Sequence, residues 1–178
     1  MGYTTTFNGA VYVDPPLNEH EQAFLRDFSG SRRMDRSEGP YYADPGTDFG
    51  QTKTDGVRNY NGPPAGQPGL WCQWLPGRSW DKDVEGDCIE WDGGEKFYNA
   101  PEWMEYIIDH FFVAGAAASR DLQASIKQDP RFAHFTFDHV FNGEIEAQGE
   151  DPDDRWKLIV RDNKVQTVQA QIVWPEPT

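Results

Sequence analysis

No stretch of the sequence is apolar for the roughly 20 residues a membrane-spanning helix needs, so no bilayer crossing is expected. The opening residues, Met1-Gly2-Tyr3-Thr4-Thr5-Thr6, contain neither a basic nor an apolar region, and no signal peptide is expected. Cysteine is scarce. Cys72 and Cys88 alone make no disulfide framework, and neither a Cys-x-x-Cys nor a His-x-x-x-His pair is there to hold zinc. Positive charge is also short: 16 Lys plus Arg stand against 30 Asp plus Glu, a formal net charge of −14. That excludes the basic face required for nonspecific nucleic-acid binding or for adhesion to an anionic membrane. Walker A, the Rossmann glycine fingerprint, Gly-x-Ser-x-Gly and His-Glu-x-x-His are all absent, so the common nucleotide-binding and hydrolase mechanisms lack support. No cofactor or metal is expected.

The chain has enough length and enough aromatics to fold. Its 178 residues suit a single domain, residues 1–178, that needs no metal or disulfide staple. An aromatic content of 14% is too high for a disordered chain of low hydrophobicity. The expected setting is the cytoplasm.

Local patterns place the elements. Tyr3, Thr5 and Phe7 alternate, with Val11 and Val13 beyond Gly9, and predict a strand that Gly9 could bulge and Pro15-Pro16 stops. Asn18 and Glu21 have capping-box spacing before a helix that carries Phe24 and Phe28 on one face and ends at Gly30. Residues 31–69 are rich in Gly, Pro, Asp and Asn and show no period. Their aromatics, Tyr41, Tyr42, Phe49 and Tyr60, favour an ordered loop covering the domain. Leu70-Trp71-Cys72-Gln73-Trp74-Leu75 and Cys88-Ile89-Glu90-Trp91 predict a hairpin. Asn99, Pro101 and Glu102 predict the start of a helix with Trp103, Ile107 and Phe111 facing the core as far as Gly115. Leu122 and Ile126 suit a short helix before Asp129-Pro130. Alternating Phe135 and Phe137, a turn or bulge at Phe141-Asn142-Gly143, and runs from Trp156 to Val160 and Val165 to Trp174 make the last third strand-like. The order β-α-loop-β-β-α-β-β-β predicts an α+β fold, an antiparallel sheet with helices on one face. The specific expectation is a ferredoxin-like split βαβ with an added C-terminal hairpin and a long covering loop.

Four phrases stand out together: residues 2–9 (GYTTTFNG), 67–74 (QPGLWCQW), 90–98 (EWDGGEKFY) and 148–155 (QGEDPDDR). In this order, spanning nearly the whole chain, they resemble a family of small uncharacterised bacterial and phage proteins. No activity is attached to that family, so the resemblance implies a single-domain intracellular protein and transfers no catalytic residue. The chain departs from the pattern at residues 78–88, where the connection is longer and Cys88 appears.

Four groups could carry chemistry. Glu144, Glu146, Glu150, Asp151, Asp153 and Asp154, followed by Arg155, could offer oxygen to Mg²⁺ or Ca²⁺, but their spacing is wrong for an EF-hand and a solvated turn is the simpler reading. Trp71, Trp74, Trp80 and Trp91, beside Asp92, Glu95 and Lys96, could line a ligand groove or fill the sheet–helix interface; the second reading leads. Cys72 would need a base such as His110, His134 or His139 to act as a nucleophile, and a buried thiol is the commoner role. Arg32-Arg33-Met34-Asp35-Arg36 is the one dense basic spot, suited to an anion or to complementing the end of the first helix.

The expected function is an acidic interaction protein that recognises a basic protein partner or a small ligand. Trp71, Trp74, Trp91, Asp92, Glu95, Glu150, Asp151, Asp153, Asp154, Arg32 and Arg33 are the candidate contacts. A nucleic-acid mimic is the sharper form of that expectation; direct nucleic-acid or membrane binding is not expected. The alternative is a small enzyme with carboxylate or Cys chemistry in a Trp-lined pocket, for which Asp92, Glu95 or Cys72 should converge with a His or Arg.

Overall fold

A computed structural model describes residues 2–44, 46 and 56–178. Strand β1 (Thr6–Asp14) leads to helix α1 (Glu19–Ser29). The two short strands β2 (Asp35–Arg36) and β3 (Val57–Asn59) pair within the covering segment. Strands β4 (Trp74–Arg78) and β5 (Glu85–Trp91) form the hairpin, and helix α2 (Ala100–Ile107) runs on into a π-helical turn (Ile108–Phe112). Short helices α3 (Ala117–Arg120) and α4 (Leu122–Gln128) and a 3₁₀ turn (Pro130–His134) precede strands β6 (Val140–Gln148), β7 (Arg155–Arg161) and β8 (Lys164–Gln169).

The fold is α+β. Its six-stranded sheet has the order β4-β5-β1-β6-β7-β8, and every neighbouring pair is antiparallel. The segment β4-β5-β1-β6 is the ferredoxin-like arrangement, and the β7–β8 hairpin extends it at one edge. Asp162 and Asn163 close that hairpin with φ of 46° and 70°, the left-handed pair a two-residue turn requires.

Alternation assigns one sheet face to the core. Phe7, Val11 and Val13 of β1, Phe141, Ile145 and Ala147 of β6, and Leu158 and Val160 of β7 are buried there. Phe24, Leu25 and Phe28 of α1 and Trp103, Met104 and Ile107 of α2 belong to the same core. The π-helical turn inserts one residue into the helical register, so Ile107 and Ile108, then Phe111 and Phe112, all face inward.

Phe7-Asn8-Gly9 recurs as Phe141-Asn142-Gly143, and the two copies meet in the sheet. The two strands pair around Ala10↔Glu144, so Gly9 lies opposite Ile145 and Gly143 opposite Val11. A Cβ at Gly9 would sit 2.7 Å from the Glu144 carbonyl oxygen, and one at Gly143 would sit 2.6 Å from that of Ala10. Glycine therefore permits close approach at the sheet centre. The register runs unbroken, so the expected bulge or turn is absent.

Other expectations shift by local physics. The first hairpin strand begins at Trp74 instead of Leu70, because residues 70–73 pack against the loop: the Arg33 N–H donates to the Leu70 carbonyl. Asn99 does not cap α2; at φ 57° its side-chain amide instead donates to the Pro68 carbonyl (2.8 Å). Phe135 and Phe137 lie outside any strand, and Phe137 has φ 50°. Strand β8 stops at Gln169, and Ile172, Val173 and Trp174 stand in solvent. Within the covering segment, Tyr41 packs on Phe111 and Phe132, whereas Phe49 lies outside the described residues.

Candidate functional site

The hairpin tryptophans mostly build the interior. Trp74 is fully buried, meets Phe7 and Phe97 edge-on, and donates its indole N–H to the Ala100 carbonyl (2.9 Å). Trp91 is half-buried against Phe7 and donates to the Gln73 side chain (3.2 Å). Trp71 is half-buried too, and of these four only Trp80, in the turn of the hairpin, is exposed. Asp92 accepts from the Gly94 N–H and shapes a turn, while Glu95 is exposed. Among the described residues no His or Arg side chain bonds either carboxylate. Cys72 is buried, and its burial pushes the thiol up to about 11, unsuited to nucleophilic attack at neutral pH. Cys88 is likewise pushed up, to about 12, by burial and then by Asp87 and Glu90.

The two candidate arginines serve the covering segment. Arg32 lies 4.5 Å over the Tyr60 ring and donates to the Tyr60 carbonyl. Arg33 is 1% exposed and donates to the carbonyls of Phe28, Pro40 and Tyr42 and to the Gln67 side chain, with the Phe28 ring 3.9 Å from its guanidinium carbon. Burial pulls its pKa down to about 9, still well above neutral. The guanidinium therefore stays charged, and it is closed to an outside anion.

The acidic turn is ordered by the N-terminal segment. Tyr3 donates its hydroxyl proton to Asp154 (2.6 Å), and the Thr4 N–H donates to Glu150 (2.7 Å). Asp151 and Asp153 are exposed. Glu144 pairs with Arg161 and Lys157, so its acidity is spent within the sheet. Among the described residues no group of three or more His, Cys, Asp or Glu side chains could hold a metal ion.

One of these candidates, Asp154, joins a concave site. A cleft of about 580 Å³ opens between the start of α2 and the β7–β8 hairpin. Asp154, Glu102 and Glu105 supply carboxylates, Phe97, Tyr98 and Trp156 supply rings, and Gln166, Thr167 and Gln169 of β8 supply neutral polar groups. No Lys, Arg or His is among the described residues that line it. Glu102 and Glu105 stand one turn apart on the outer face of α2, opposite Trp103 and Ile107. Trp156 reaches it from β7 and rests edge-on against Phe7. Sequence reasoning missed Glu102, Glu105, Phe97, Tyr98 and Trp156 as site residues. The legible signal was the pair of acids on the polar side of an amphipathic helix; the meeting of that helix with β8 was not legible.

A second polar cluster is closed. Glu21, fully buried at the start of α1, accepts from the backbone N–H groups of Asn18 and Thr136, and from His139 at 3.0 Å. The other ring nitrogen of His139 lies 2.7 Å from the Pro15 carbonyl. Nε2 faces the Glu21 carboxylate and the Thr136 hydroxyl (3.1 Å), and Nδ1 faces the Pro15 carbonyl, an arrangement that favours the doubly protonated ring. Burial alone would raise the Glu21 pKa, but the hydrogen bonds from His139, Thr136 and Asn18 outweigh it and lower it. For His139 burial opposes the charge, and the bonds to Glu21 and Pro15 overcome it, so its pKa rises.

No protein-family model, curated protein or solved structure matches the chain. The functional argument therefore rests on the site itself. Among the described residues no helix is long and apolar enough to cross a membrane.

Proposed function

We propose that the chain is an acidic interaction protein whose cleft between α2 and the β7–β8 hairpin receives a Lys or Arg side chain of a basic protein partner. The observation that carries this reading is the lining: three carboxylates and three aromatic rings, with no positive charge among the described lining residues. A cation entering there meets ring faces and carboxylates together, and each attracts it more strongly as water leaves. The net charge of −14 would draw a basic surface from a distance and speed encounter. The anchor moves from the hairpin tryptophans to Trp156 and Tyr98, since Trp74 is in the core. A cytoplasmic location suits the two buried free thiols, Cys72 and Cys88.

Titration calorimetry with an Arg- and Lys-rich peptide, against an acidic control peptide, tests the reading. The basic peptide should bind, lose affinity steeply as salt rises from about 0.05 M to about 0.5 M, and bind about tenfold or more weakly to the Glu102→Gln, Glu105→Gln double variant. Binding indifferent to both salt and the double substitution overturns it, as does equal binding of the acidic control.

A further inference from the structure

The six-stranded sheet ends in two edges of different character. At the β4 edge the Trp74 carbonyl accepts from the Ser29 hydroxyl (2.7 Å), Pro76 has no N–H to offer, and the register shifts between Gly77 and Arg78. Such features stop a sheet from pairing further. Among the described residues nothing comparable guards β8. Lys164–Gln169 keep an unbroken register with β7, contain neither Pro nor Gly, and carry one charge, Lys164, beside the turn.

The ladder fixes which backbone groups that edge presents. Asp162 and Asn163 make a two-residue turn, so the flanking pair Arg161↔Lys164 is hydrogen-bonded. Further along, the Ala170 N–H donates to the Arg155 carbonyl (2.8 Å). Both bonds fall on one alternation, which turns the N–H and C=O groups of Lys164, Gln166 and Val168 toward β7. Those of Val165, Thr167 and Gln169 point away from the sheet, and among the described residues none beyond the ladder bonds them. The same three residues pair with Val160, Leu158 and Trp156, so their side chains share the helix-side face, and all three line the acidic cleft. Open backbone groups therefore adjoin the carboxylates of Glu102, Glu105 and Asp154.

We infer that the basic partner enters as an extended segment that joins β8 as a further antiparallel strand, an inference that rests on the cation reading of the cleft. The segment lies about 5 Å from β8, and its residues opposite Val165, Thr167 and Gln169 exchange main-chain bonds with them. Those residues also turn their side chains to the helix side. Basic side chains at alternate positions, roughly 7 Å apart, then run past Glu102 and Glu105, which stand one helical turn apart. The residues between them face the helix-free side. The recognised pattern is thus Lys or Arg alternating with β-branched residues, which favour an extended backbone. Main-chain bonds supply affinity, and the carboxylates select the side chains. A second copy is the poorer occupant. Its own β8 would set Val165, Thr167 and Gln169 over the cleft, where the acids call for a cation, and would bring a second net charge of −14.

Calorimetry with three peptides of equal charge decides it: one of alternating Val and Arg, one N-methylated at each Arg, and one N-methylated at each Val. The unmodified and Val-methylated peptides should bind alike. The Arg-methylated peptide should bind about tenfold or more weakly, because the N–H groups it lacks are those that face β8. Thr167→Pro removes one outward N–H where an edge strand tolerates Pro, so its far-ultraviolet spectrum should be unchanged while the unmodified peptide binds about tenfold more weakly. In the unaltered chain the amides of Val165, Thr167 and Gln169 should gain protection from hydrogen exchange when that peptide is added. Equal binding of the two methylated peptides, or unchanged exchange at those amides, overturns strand addition and leaves the cation reading standing. Failure of all three peptides to bind overturns both. A free chain that is dimeric at about 100 μM, and monomeric as Thr167→Pro, overturns the inference by giving the edge to a second copy.

Discussion

The two ends of α1 each hold a buried basic side chain, and the two are satisfied by different means. At its start, His139 is paired with the Glu21 carboxylate, and both groups are tied to backbone at Asn18, Thr136 and Pro15. Just past its end, Arg33 bonds no carboxylate among the described residues; the carbonyls of Phe28, Pro40 and Tyr42 and the Gln67 side chain surround it. A carbonyl dipole is a weaker partner than a carboxylate, which is why burial lowers the pKa of Arg33 while that of His139 rises. The difference shows what each group is for. The ion pair fixes one junction, between α1 and the approach to β6. The guanidinium gathers the backbone of the covering segment from several directions, which a single carboxylate could not do.

Arg33 should therefore be the more costly to lose. Arg33→Met leaves buried carbonyls without donors, and a loss of about 3–5 kcal/mol is expected, as when a buried charged network loses one partner. Chemical denaturation would report it as a lower midpoint, and limited proteolysis should cut the covering segment while the sheet is still folded. Arg33→Lys should recover only part of the stability, because one ammonium cannot reach the same spread of acceptors. Full stability in Arg33→Met would mean that the covering segment is held by its aromatics alone.

The pair at the other end has a release that Arg33 lacks: when Glu21 is changed to Gln, His139 can shed its proton. A smaller loss follows, about 2–3 kcal/mol, and a double-mutant cycle with His139→Gln should give coupling of about 1–3 kcal/mol. The pH dependence sharpens the contrast. The raised pKa of His139 contributes stability that is fully present below about pH 6.5 and is lost as pH rises through the folded value. The lowered pKa of Glu21 contributes stability present above about pH 4.3 and lost as pH falls through its folded value. Stability from the pair should thus be greatest between those limits. Denaturation midpoints measured across pH should lose their alkaline decline in His139→Gln; an unchanged profile in that variant would show that the ring is neutral in the fold.

The architecture was largely legible in the sequence, and the sites were not. Asn18 and Glu21 announced the start of α1 because a capping box is a contact between near neighbours, and the structure has both of its bonds. The order of strands and helices pointed to the ferredoxin-like arrangement because crossover rules leave few ways to assemble it. The second role of Glu21 was hidden, since His139 comes from a distant segment and only the fold joins them. Arg33 was misleading for a related reason. A basic cluster reads as a surface feature, and nothing local says that a Gly- and Pro-rich segment will wrap it. Trp156 was placed correctly on a strand, while its part in the cleft depends on β8 lying beside α2.

The same logic predicts where charge will not matter. Arg78 reaches both Glu85 and Asp83 at the turn of the β4–β5 hairpin, yet by count of partners it does not approach Arg33. All three side chains are in solvent, and water supplies each of them with alternative partners. Hydrogen bonds to Glu85, then to Asp83, raise the Arg78 pKa, so the attraction is real but exposed to screening by salt. Arg78→Gln should leave the denaturation midpoint within error of the parent at physiological salt, with a slight fall emerging only at low ionic strength. A drop comparable to that of Glu21→Gln would mean that the hairpin tip is held as firmly as the buried pair, and that burial is not what separates these charges.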